Sequence, residues 1–512
     1  MKIKEAGPNL GILLLCLSLG FSGCVTPAPA PALTSLPAST LPPTLTKTAI
    51  PMSTLTPTPV IPTSIPIPTK PITVPTITLN QGDYYFTVDG RQSFIYVRNL
   101  AGYQPDQYIQ LLDLMKGKGV QVVRIQLDSL GMGYDNTGTL DKNWALSWER
   151  IFARAAQDGL AVLPVFTGWF DWNNGDPDYD YSMWKSNPLR IENKGPAKTP
   201  AALFQAGSST QRAWLGWLKT LVERWQAQEN IIAWEIFSEV NLASGVTERS
   251  GIDFIEKAAK VIRLADPRQR PITASLAETG DWSNFYNSEA IDFINTHPYP
   301  PSGQLDREII RIVRAYQGKY HKPVFIGESG LSFVAPTENS NTLTTATNAR
   351  LGIEHAIWAG MVSGAMDGRA LYWEDSFAIY FPRLSWLFLL QYLDAESIAS
   401  QFVSSVDFSG FQPLEAHFSN DLFGAAIGNE STILGWFRDA SCEPPDWQLQ
   451  SLVSKGTVSL PVPGASAWQL NFYSPSTGEW ISDPQVVQPE GDTLQIVLPA
   501  FIDTIAFKLT AQ

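Results

Sequence analysis

Residues 231–241 read IIAWEIFSEVN, and residues 323–330 read PVFIGESG. Each stretch is a short apolar run that ends in a glutamate, Glu239 in the first and Glu328 in the second. Continuous apolar runs of this length are typical of strands that are buried on both faces, as in a parallel sheet covered by helices. The two stretches therefore predict two buried strands, each with a carboxylate at its C-terminal end.

Further apolar runs alternate with amphipathic stretches on both sides of these two. The eight runs span residues 95–99, 120–128, 161–167, 231–239, 272–277, 291–299, 324–329 and 370–375. The helical stretches span residues 106–116, 144–157, 211–228, 253–264, 306–317 and 346–363. Buried strands separated by helices predict an α/β fold, and eight of them in roughly 300 residues predict a closed (β/α)8 TIM barrel. An open doubly wound sheet is the alternative, but no Gly-rich phosphate-binding sequence follows the first run.

A second, smaller domain is predicted after the barrel, because the rhythm of the sequence changes there. Six short runs separated by turn residues span residues 424–428, 432–438, 457–462, 468–473, 494–499 and 505–509. Short strands at this spacing, without a helical pattern, are typical of a small β-sandwich. We therefore place the TIM barrel at residues 80–398 and the β-sandwich at residues 399–512. Asp89-Gly90, between two apolar runs just before the barrel, predicts a tight hairpin turn.

The N-terminus has the pattern of an export signal. Two lysines precede the apolar run 10–19, which is too short to span a bilayer comfortably. The run leads to FSGC at residues 21–24, which resembles a bacterial lipobox and makes Cys24 the predicted lipidation site. An ordinary secretory signal with an incidental cysteine is the alternative. We expect residues 1–24 to be a lipoprotein signal peptide and the protein to be extracytoplasmic, lipid-anchored to the bacterial membrane or cell surface.

The segment that follows the signal has a biased composition. Residues 25–79 are dominated by Pro, Thr and Ser. Repeated proline removes backbone donors and fixes φ, so this composition predicts an extended, disordered linker between the lipid anchor and the barrel.

Composition also narrows the class of partner. The net charge is −13, which excludes nucleic acid, whose phosphates need a basic face. None of the four histidines is paired at helix-ligand spacing, and Cys442 is the only cysteine beyond residue 24. The sequence therefore predicts no intramolecular disulfide, no metal site and no other cofactor. We expect a monomer.

Polar and aromatic residues cluster where the predicted strands end, which is the active-site end of a TIM barrel. Besides the two terminal glutamates, the candidate substrate-binding residues are Arg124, Trp169, Trp172, Ser238, His297, Tyr299, Trp373 and Glu374. Such an acidic pocket with aromatic walls suits a neutral sugar, because sugar C–H faces stack on indole rings. Glu235, four residues before Glu239, is a candidate supporting partner inside the barrel.

Cleavage of a glycosidic bond needs two carboxyl groups, and Glu239 and Glu328 supply them. One carboxyl group protonates the leaving oxygen, and the other acts at the anomeric carbon. A separation of about 5–5.5 Å would indicate a retaining mechanism, and about 6.5–9.5 Å an inverting one. The nucleophile must stay ionised, and Arg124 and Tyr299 are the candidate donors that keep Glu328 charged.

From residue 84 to about residue 395, the sequence resembles the clan A glycoside hydrolases, and most of all the family 5 cellulases and mannanases. The motifs that carry the resemblance are FTVDGRQSFIYVRN at 86–99, WEIFSEVN at 234–241, THPYP at 296–300, PVFIGESG at 323–330 and IEHAIWAGMVSGAMDGRALYWEDS at 353–376. The resemblance implies a retaining enzyme that cleaves β-linked polysaccharides or oligosaccharides. It makes Glu239 the acid/base and Glu328 the nucleophile, and it places His297, Tyr299 and Trp373 in the −1 subsite.

Two positions depart from the pattern of the family. Ser238 stands immediately before the acid/base, where the family has an asparagine that binds the sugar 2-hydroxyl. Either Ser238 or Asn241 could supply that hydrogen bond instead. The histidine that family 5 carries near the third strand is also missing, because residues 161–172 contain none. The alternative hypothesis is therefore a catalytically inactive carbohydrate-binding lipoprotein that keeps a hydrolase-like barrel.

Overall fold

The structure is a computed structural model. It describes residues 74–175, 183–277, 282–330, 346–368, 382–419, 421–444, 452–453, 455–462 and 467–512, with backbone only for 346–350 and 382–391. Residues Pro68–Gln512 form one compact unit. Cys24, the signal peptide and most of the predicted linker lie outside the described residues.

A small antiparallel sheet precedes the barrel. It consists of β1 (Ile77–Thr78), β2 (Phe86–Val88) and β3 (Arg91–Ser93). The predicted hairpin turn is confirmed, since Asp89 and Gly90 have φ of 49° and 87° and connect the paired residues Val88 and Arg91. Two consecutive positive φ values define the hairpin turn that Asp-Gly favours.

Among the described residues, nine short strands form the wall of the barrel. They are β4 (Ile95–Leu100), β5 (Val122–Gln126), β6 (Ala161–Val165), β7 (Trp234–Glu235), β8 (Ile272–Thr273), β9 (Ser275–Ala277), β10 (Ile294–His297), β11 (Val324–Ile326) and β12 (Asp367–Gly368). Every neighbouring pair is parallel, in the orders β12-β4-β5-β6-β7-β8 and β9-β10-β11. Because β8 and β9 are two parts of one strand, the nine segments occupy eight strand positions.

The last gap in the wall, between β11 and β12, is bridged by two hydrogen bonds. The backbone N–H of Met366 donates to the carbonyl of Val324 over 2.9 Å. The side chain of Asp367 accepts the N–H of Ile326 over 2.7 Å, in place of a backbone carbonyl. The predicted α/β TIM barrel is therefore confirmed. The eighth strand is described at residues 367–368, whereas the predicted range 370–375 lies outside the described residues.

In the part of the chain that the structure describes, seven α-helices accompany the strands. They are α1 (Pro105–Met115), α2 (Lys142–Gln157), α3 (Ser209–Trp225), α4 (Glu248–Ala265), α5 (Leu305–Tyr320), α6 (Ala346–Ser363) and α7 (Pro382–Val403). The first six coincide with the predicted helical stretches. Helix α7 is not among the predicted stretches, and it continues past residue 398, the predicted boundary between the two domains. None of the helices in the described part of the chain is long and apolar enough to cross a membrane.

The packing of α2 shows why these stretches are helical. The side chain of Asp141 caps the helix by accepting the N–H groups of Asn143 and Trp144. Trp148 and Phe152 then follow Trp144 at spacings of four residues, and all three are buried. Residues four apart lie on one face of a helix, so this spacing places three aromatic rings on the buried face of α2, where they pack against rings of α1 and α3.

Short 3-10 turns lie in the loops of the described residues. They span Trp169–Trp172, Met183–Ser186, Ile191–Asn193, Pro200–Leu203, Val240–Leu242 and Phe285–Asn287. The turn Trp169–Trp172 follows β6 and the turn Val240–Leu242 follows β7, so both lie at the C-terminal end of the barrel.

The C-terminal part folds as antiparallel sheets, in agreement with the predicted β-sandwich. Its strands are β13 (Gln412–Leu414), β14 (His417–Phe418), β15 (Leu422–Gly428), β16 (Thr432–Asp439), β17 (Leu452–Val453), β18 (Gly456–Pro461), β19 (Trp468–Ser474), β20 (Glu479–Trp480), β21 (Gln485–Val487), β22 (Thr493–Leu498), β23 (Phe501–Ile502) and β24 (Thr504–Ala511). The larger sheet has the order β13-β15-β16-β24-β19-β20, and β14-β18-β22 face it across one apolar core. All six predicted strands of this part are present.

The larger sheet of the C-terminal part is covered on its other face by α6. The ring centroids of Trp436 on β16 and His355 are 5.8 Å apart, and those of Tyr473 on β19 and Trp358 are 6.0 Å apart. Trp436, Tyr473 and Trp358 belong to the same apolar core as the barrel, and His355 packs beside Trp436. The central strands of this sheet are therefore buried on both faces, which explains their nearly continuous apolar sequences.

Candidate active site

The fourth strand position is irregular where it reaches the site. Regular strand pairing covers only Trp234–Glu235, after which Ser238 makes an isolated bridge to Gly168. Side chains three residues apart in a regular strand face opposite sides of a sheet. Here Glu235 and Ser238 both hydrogen-bond to Arg124, so the backbone between them must depart from that alternation.

Arg124, on β5, is the centre of the site. Its guanidinium donates two hydrogen bonds of 2.7 Å to Glu235, one of 2.9 Å to Glu328 and one of 3.1 Å to the hydroxyl of Ser238. A fifth bond of 2.9 Å goes to Asn99. The side chains of Arg124 and Glu235 are both fully buried. A planar guanidinium held on several sides in this way gives Glu328 a fixed cationic partner.

Glu328 is buried and surrounded by donors. Besides Arg124, Tyr299 donates to it over 3.3 Å and Gln126 over 3.4 Å. The hydroxyl of Ser238 also points at it over 3.5 Å. Burial raises the pKa of Glu328 above its usual value, whereas His297 and Arg124 lower it. Arg124 and Tyr299 therefore both donate to Glu328, and their role in keeping it charged stays a prediction.

Glu239 lies in a different environment. Its backbone is left-handed, with φ of 57° and ψ of 53°, and its N–H donates to the hydroxyl of Ser275 over 3.0 Å. Non-glycine residues in this conformation are uncommon and cluster at functional sites. Its carboxyl group contacts Nδ1 of His297 at 2.9 Å and accepts a hydrogen bond from the side chain of Trp169. Burial raises the pKa of Glu239 to about 7, a shift that Arg124 partly opposes.

His297, at the end of β10, is neutral near pH 7. Burial lowers the pKa of this imidazole to about 4, although Glu328 and Glu235 oppose the shift. Its Nδ1 lies 2.9 Å from Glu239 and 3.7 Å from Glu328. A neutral ring in this position supplies a hydrogen bond between the two carboxyl groups without adding charge.

The two carboxyl groups face each other at short range. One oxygen of Glu239, one oxygen of Glu328 and a ring nitrogen of His297 all lie within 4.8 Å of one another. Three such donors can also hold a metal ion, and in the described part of the chain no other group of three or more His, Cys, Asp or Glu has this spacing. No histidine pair in the sequence indicates this group, because its donors come from three different strand ends.

Several predicted residues have a different place from the one expected. Arg124 and Ser238 are fully buried and contact Glu328, so neither offers its side chain to a substrate in this structure. Asn241, the suggested substitute for the missing asparagine, hydrogen-bonds to the backbone of Ala277 through both ends of its amide. These side chains therefore support the site from behind.

The two tryptophans of the loop after β6 also differ from each other. Trp169 is half-buried beside Glu239, as expected for a residue lining the site. Trp172 is 0% exposed, donates to Thr167 over 3.1 Å and packs against Trp184. It therefore belongs to the core, which corrects its assignment as a sugar-stacking residue. Trp373 and Glu374, the remaining predicted substrate contacts, lie outside the described residues.

Three supporting residues, Asn99, Gln126 and Ser275, are not among the predicted site residues. All three are buried polar side chains on barrel strands, and each hydrogen-bonds to Arg124, Glu328 or Glu239. The available signal was a polar residue near the end of an otherwise apolar strand. Buried polar groups of this kind are retained where they have partners.

The fold is similar to those of solved glycoside hydrolases. A glycoside hydrolase of family 5 from Bacteroides vulgatus has a TM-score of 0.58 at 13% sequence identity, over 85% of this chain and 93% of that chain. A second structure, described as a glycoside hydrolase, has a TM-score of 0.56 at 11% identity, over 86% of this chain and 98% of that chain. No family model and no curated protein matches the sequence. At these identities the likeness shows the fold.

Proposed function

We propose that this chain is a retaining glycoside hydrolase that cleaves β-linked sugars, with Glu328 as the nucleophile and Glu239 as the acid/base. The observation that carries the proposal is the pair of carboxyl groups, whose nearest oxygens lie within 4.8 Å at the mouth of the barrel. An inverting enzyme needs about 6.5–9.5 Å between its carboxyl groups to hold a water molecule between them and the sugar. The shorter distance supports direct attack by a carboxylate.

The environments of the two groups support the division of roles. A nucleophile must be ionised, and Glu328 has Arg124 as a buried cationic partner at 2.9 Å. A general acid must begin protonated, and the pKa of Glu239 is raised to about 7, mainly by burial. The imidazole of His297 lies against both carboxyl groups and lowers the pKa of Glu328, which favours its ionised form.

The proposed reaction has two displacements. Glu328 attacks the anomeric carbon while the bond to the leaving oxygen breaks and Glu239 transfers its proton to that oxygen. The product of this step is a glycosyl ester on Glu328 and an ionised Glu239. Glu239 then removes a proton from water, which attacks the anomeric carbon and releases Glu328. Both residues return to their starting charge states, and the configuration of the sugar is retained.

The substrate and the location of the protein belong to the same proposal. A β-linked polysaccharide or its oligosaccharides fits the half-buried Trp169 and Tyr299 beside the carboxyl pair, because aromatic faces bind sugar C–H surfaces. We propose that Cys24 carries a lipid anchor and that the Pro-rich segment lets a monomeric catalytic domain reach polymers outside the membrane.

Ser238 favours a second candidate function, a sugar-binding protein without catalysis. Its hydroxyl accepts a hydrogen bond from Arg124 and faces Glu328, so it is already engaged. A hydrogen bond to the sugar 2-hydroxyl strengthens in the transition state of glycoside hydrolysis. Without a replacement, the barrel would bind sugars but hydrolyse them slowly or not at all.

Release of reducing ends from β-glucans, mannans and xylans by the purified full chain tests the proposal. We expect hydrolysis of one of these classes, with the first product in the β configuration by proton NMR. Glu328→Gln should lower the rate by at least about 10²-fold, and Glu239→Gln should lower it mainly for substrates with poor leaving groups. The control variant is Glu229→Gln. Glu229 is an exposed glutamate that forms an ion pair with Arg268 over 3.4 Å.

Three outcomes would contradict the assignment. Measurable sugar binding without hydrolysis of any polymer would favour the non-catalytic candidate. An α-configured first product would exclude retention. Full activity in Glu328→Gln would exclude Glu328 as the nucleophile.

A further inference from the structure

A second pair of buried carboxyl groups lies beside the proposed catalytic pair. Asp128 follows the end of β5 and Asp171 lies in the turn after β6, so both are at the C-terminal end of the barrel. They are 5% and 1% exposed. The proposed mechanism uses neither of them. Two neighbouring carboxyl groups that are both buried need an explanation, because burying like charges together is costly.

The hydrogen bonds of the pair show how the charge is reduced. Oδ2 of Asp171 accepts the hydroxyl of Thr167 over 2.6 Å and the N–H of Gly168 over 3.4 Å. Oδ1 of Asp171 and Oδ2 of Asp128 are buried and have no hydrogen-bond partner among the described residues, and the two carboxyl groups are direct neighbours. Ionised carboxylates only accept hydrogen bonds. A hydrogen bond between the two groups would satisfy both oxygens, and it requires one proton, shared by Asp128 and Asp171.

The groups around the pair agree with a single shared proton. Burial, and then the charge of Asp171, raises the pKa of Asp128 well above its usual value, whereas Arg124 lowers it. Burial also raises the pKa of Asp171, to about 6. The other titratable groups that face the pair are the phenols of Tyr134 and Tyr108, which are uncharged near neutral pH. One negative charge is thus retained, and Arg124 is its cationic neighbour.

The turn that carries Asp171 also carries Trp169. The N–H of Trp169 donates to the carbonyl of Ser238 over 3.0 Å, which ties this turn to the residue immediately before Glu239. The indole of Trp169 then donates to the carboxyl group of Glu239. The path from Asp128 through Asp171 to Trp169 therefore ends on the proposed acid/base.

We propose that Asp171, held in place by a proton that it shares with Asp128, is a positioning residue that keeps the indole of Trp169 on Glu239. The proposal rests on the function proposed for Glu239. Its two parts, the shared proton and the effect on the acid/base, are tested by two independent measurements.

Infrared spectroscopy of the full chain tests the shared proton without any substrate. The difference spectrum of wild type minus Asp171→Asn, recorded near neutral pH, should show the C=O band of a protonated carboxyl group that is present only in the wild type. The reason is that the asparagine amide donates to an ionised Asp128 and replaces the proton. Asp128→Asn should remove the same band. A difference spectrum without this band in either variant would overturn the shared proton, whatever the enzymatic activity of the chain.

Kinetics test the positioning role. Asp171→Ala should lower kcat about tenfold on a substrate with a poor leaving group and little on one with an activated leaving group, because general acid catalysis matters only for the first. It should also move the alkaline limb of the pH profile upward, since the hydrogen bond from Trp169 lowers the pKa of Glu239. Trp169→Phe should shift the limb in the same direction, and the double variant should be no worse than the poorer single variant.

The conservative variant separates positioning from general damage. Asp171→Asn keeps an acceptor for Thr167 and a donor for Asp128, so it should recover most of the activity that Asp171→Ala loses. Thermal unfolding of each variant checks that it is folded. The proposal is wrong if Asp171→Ala leaves the alkaline limb in place while Trp169→Phe moves it, or if Asp171→Asn loses as much as Asp171→Ala. If the wild type hydrolyses no sugar, the proposed function fails, and the infrared result still decides the shared proton.

Discussion

The two glutamates of the site are chemically identical residues whose neighbours give them different properties. Glu328 is contacted by the permanent cation of Arg124 and by the hydroxyl of Tyr299. Glu239 has the neutral ring of His297 and the indole of Trp169 instead. Hydrogen bonds from cations stabilise a carboxylate, whereas burial beside neutral groups favours the protonated acid. The difference between an attacking group and a proton donor thus arises from the side chains that face each carboxyl group.

This difference predicts the pH dependence of activity. The rate should fall as the pH rises through about 7, because Glu239 loses its proton there and can no longer protonate the leaving oxygen. The rate should also fall on the acid side, at a pH above the usual range of a glutamate, since burial raises the pKa of Glu328. A profile of kcat/KM against pH measures both limbs for the free protein.

Glu239→Gln provides the check on the alkaline limb. With an activated leaving group the first step needs no acid, so the variant should retain activity and lose the limb near pH 7. A wild-type profile that stays flat up to pH 9 would show that Glu239 is not the acid. A limb that persists in Glu239→Gln would assign it to another residue.

At the scale of single elements, the sequence was sufficient to identify the strands and where they end. Apolar runs and a terminal glutamate located both carboxyl groups at the mouth of the barrel, because parallel strands all end on the same side. Apolar runs in the sequence do not predict the local backbone geometry at the end of the fourth strand. Its irregular backbone depends on Ser275 and Gly168, which are distant in sequence and make the contacts that hold Ser238 and Glu239.

The errors at the site have a related cause. A tryptophan in a loop after a strand has the same local sequence signal whether its ring faces a ligand or the core. Trp169 and Trp172 differ because Trp184, from a later turn of the same long loop, covers the second ring. The buried carboxyl pair was also not identified as a pair, since its members come from different strand ends. Contacts between separate elements determined each of these features.

Gly327 precedes Glu328, and Asn295 on the adjacent strand leaves no room for a side chain at this position. A Cβ on Gly327 would lie 2.0 Å from Oδ1 of Asn295, on the adjacent strand β10. Both residues are within the buried wall, so Gly327→Ala should destabilise the fold by about 1–3 kcal/mol. It should also lower kcat, because the next residue is Glu328, and a displacement of about 1 Å can cost about 10²-fold in rate. Urea unfolding and steady-state kinetics measure the two effects.

Gly216→Ala is the matched control for this change. Gly216 lies on the exposed side of α3, and a Cβ there would have no atom within 4 Å. Alanine is the better helix former, so this variant should be more stable by about 0.5–1 kcal/mol and fully active. Equal effects of the two substitutions would show that the contact with Asn295 is not the reason for Gly327.

At the scale of the whole molecule, one face of the larger C-terminal sheet packs into the apolar core of the barrel, and a buried ionic network joins the same two parts. Arg438, on β16, donates to Asp306 and to Glu443 over 2.6 Å each, and its side chain is fully buried. Asp306 belongs to α5 of the barrel, so this ion pair joins the two parts. Arg307, also on α5, binds the same Glu443 over 2.6 Å. Burial alone would raise the pKa of Asp306, but the charges of Arg438 and His355 and the hydrogen bonds that Asp306 accepts together lower it.

Arg438→Met should therefore weaken the whole protein and not the C-terminal sheets alone. Removing one member of a buried ion pair leaves the other charge without compensation, which costs about 3–5 kcal/mol. The double variant Arg438→Met/Asp306→Asn should recover part of this loss, because the uncompensated charge is gone. Because the larger sheet contributes side chains to the barrel core, circular dichroism and hydrolytic activity should report one unfolding transition. Both readouts should shift to lower denaturant concentration in Arg438→Met.

Arg311→Met tests whether burial is the reason. Arg311 pairs with Glu308 on the same helix, but its side chain is 64% exposed, so its loss should cost less than about 1 kcal/mol. If Arg438→Met shifted only the circular dichroism of the sheets and left the activity transition in place, the C-terminal part would unfold independently of the barrel. If the two shifts coincide, the C-terminal sheets unfold together with the barrel. They then stabilise α5, α6 and the barrel that positions Glu328.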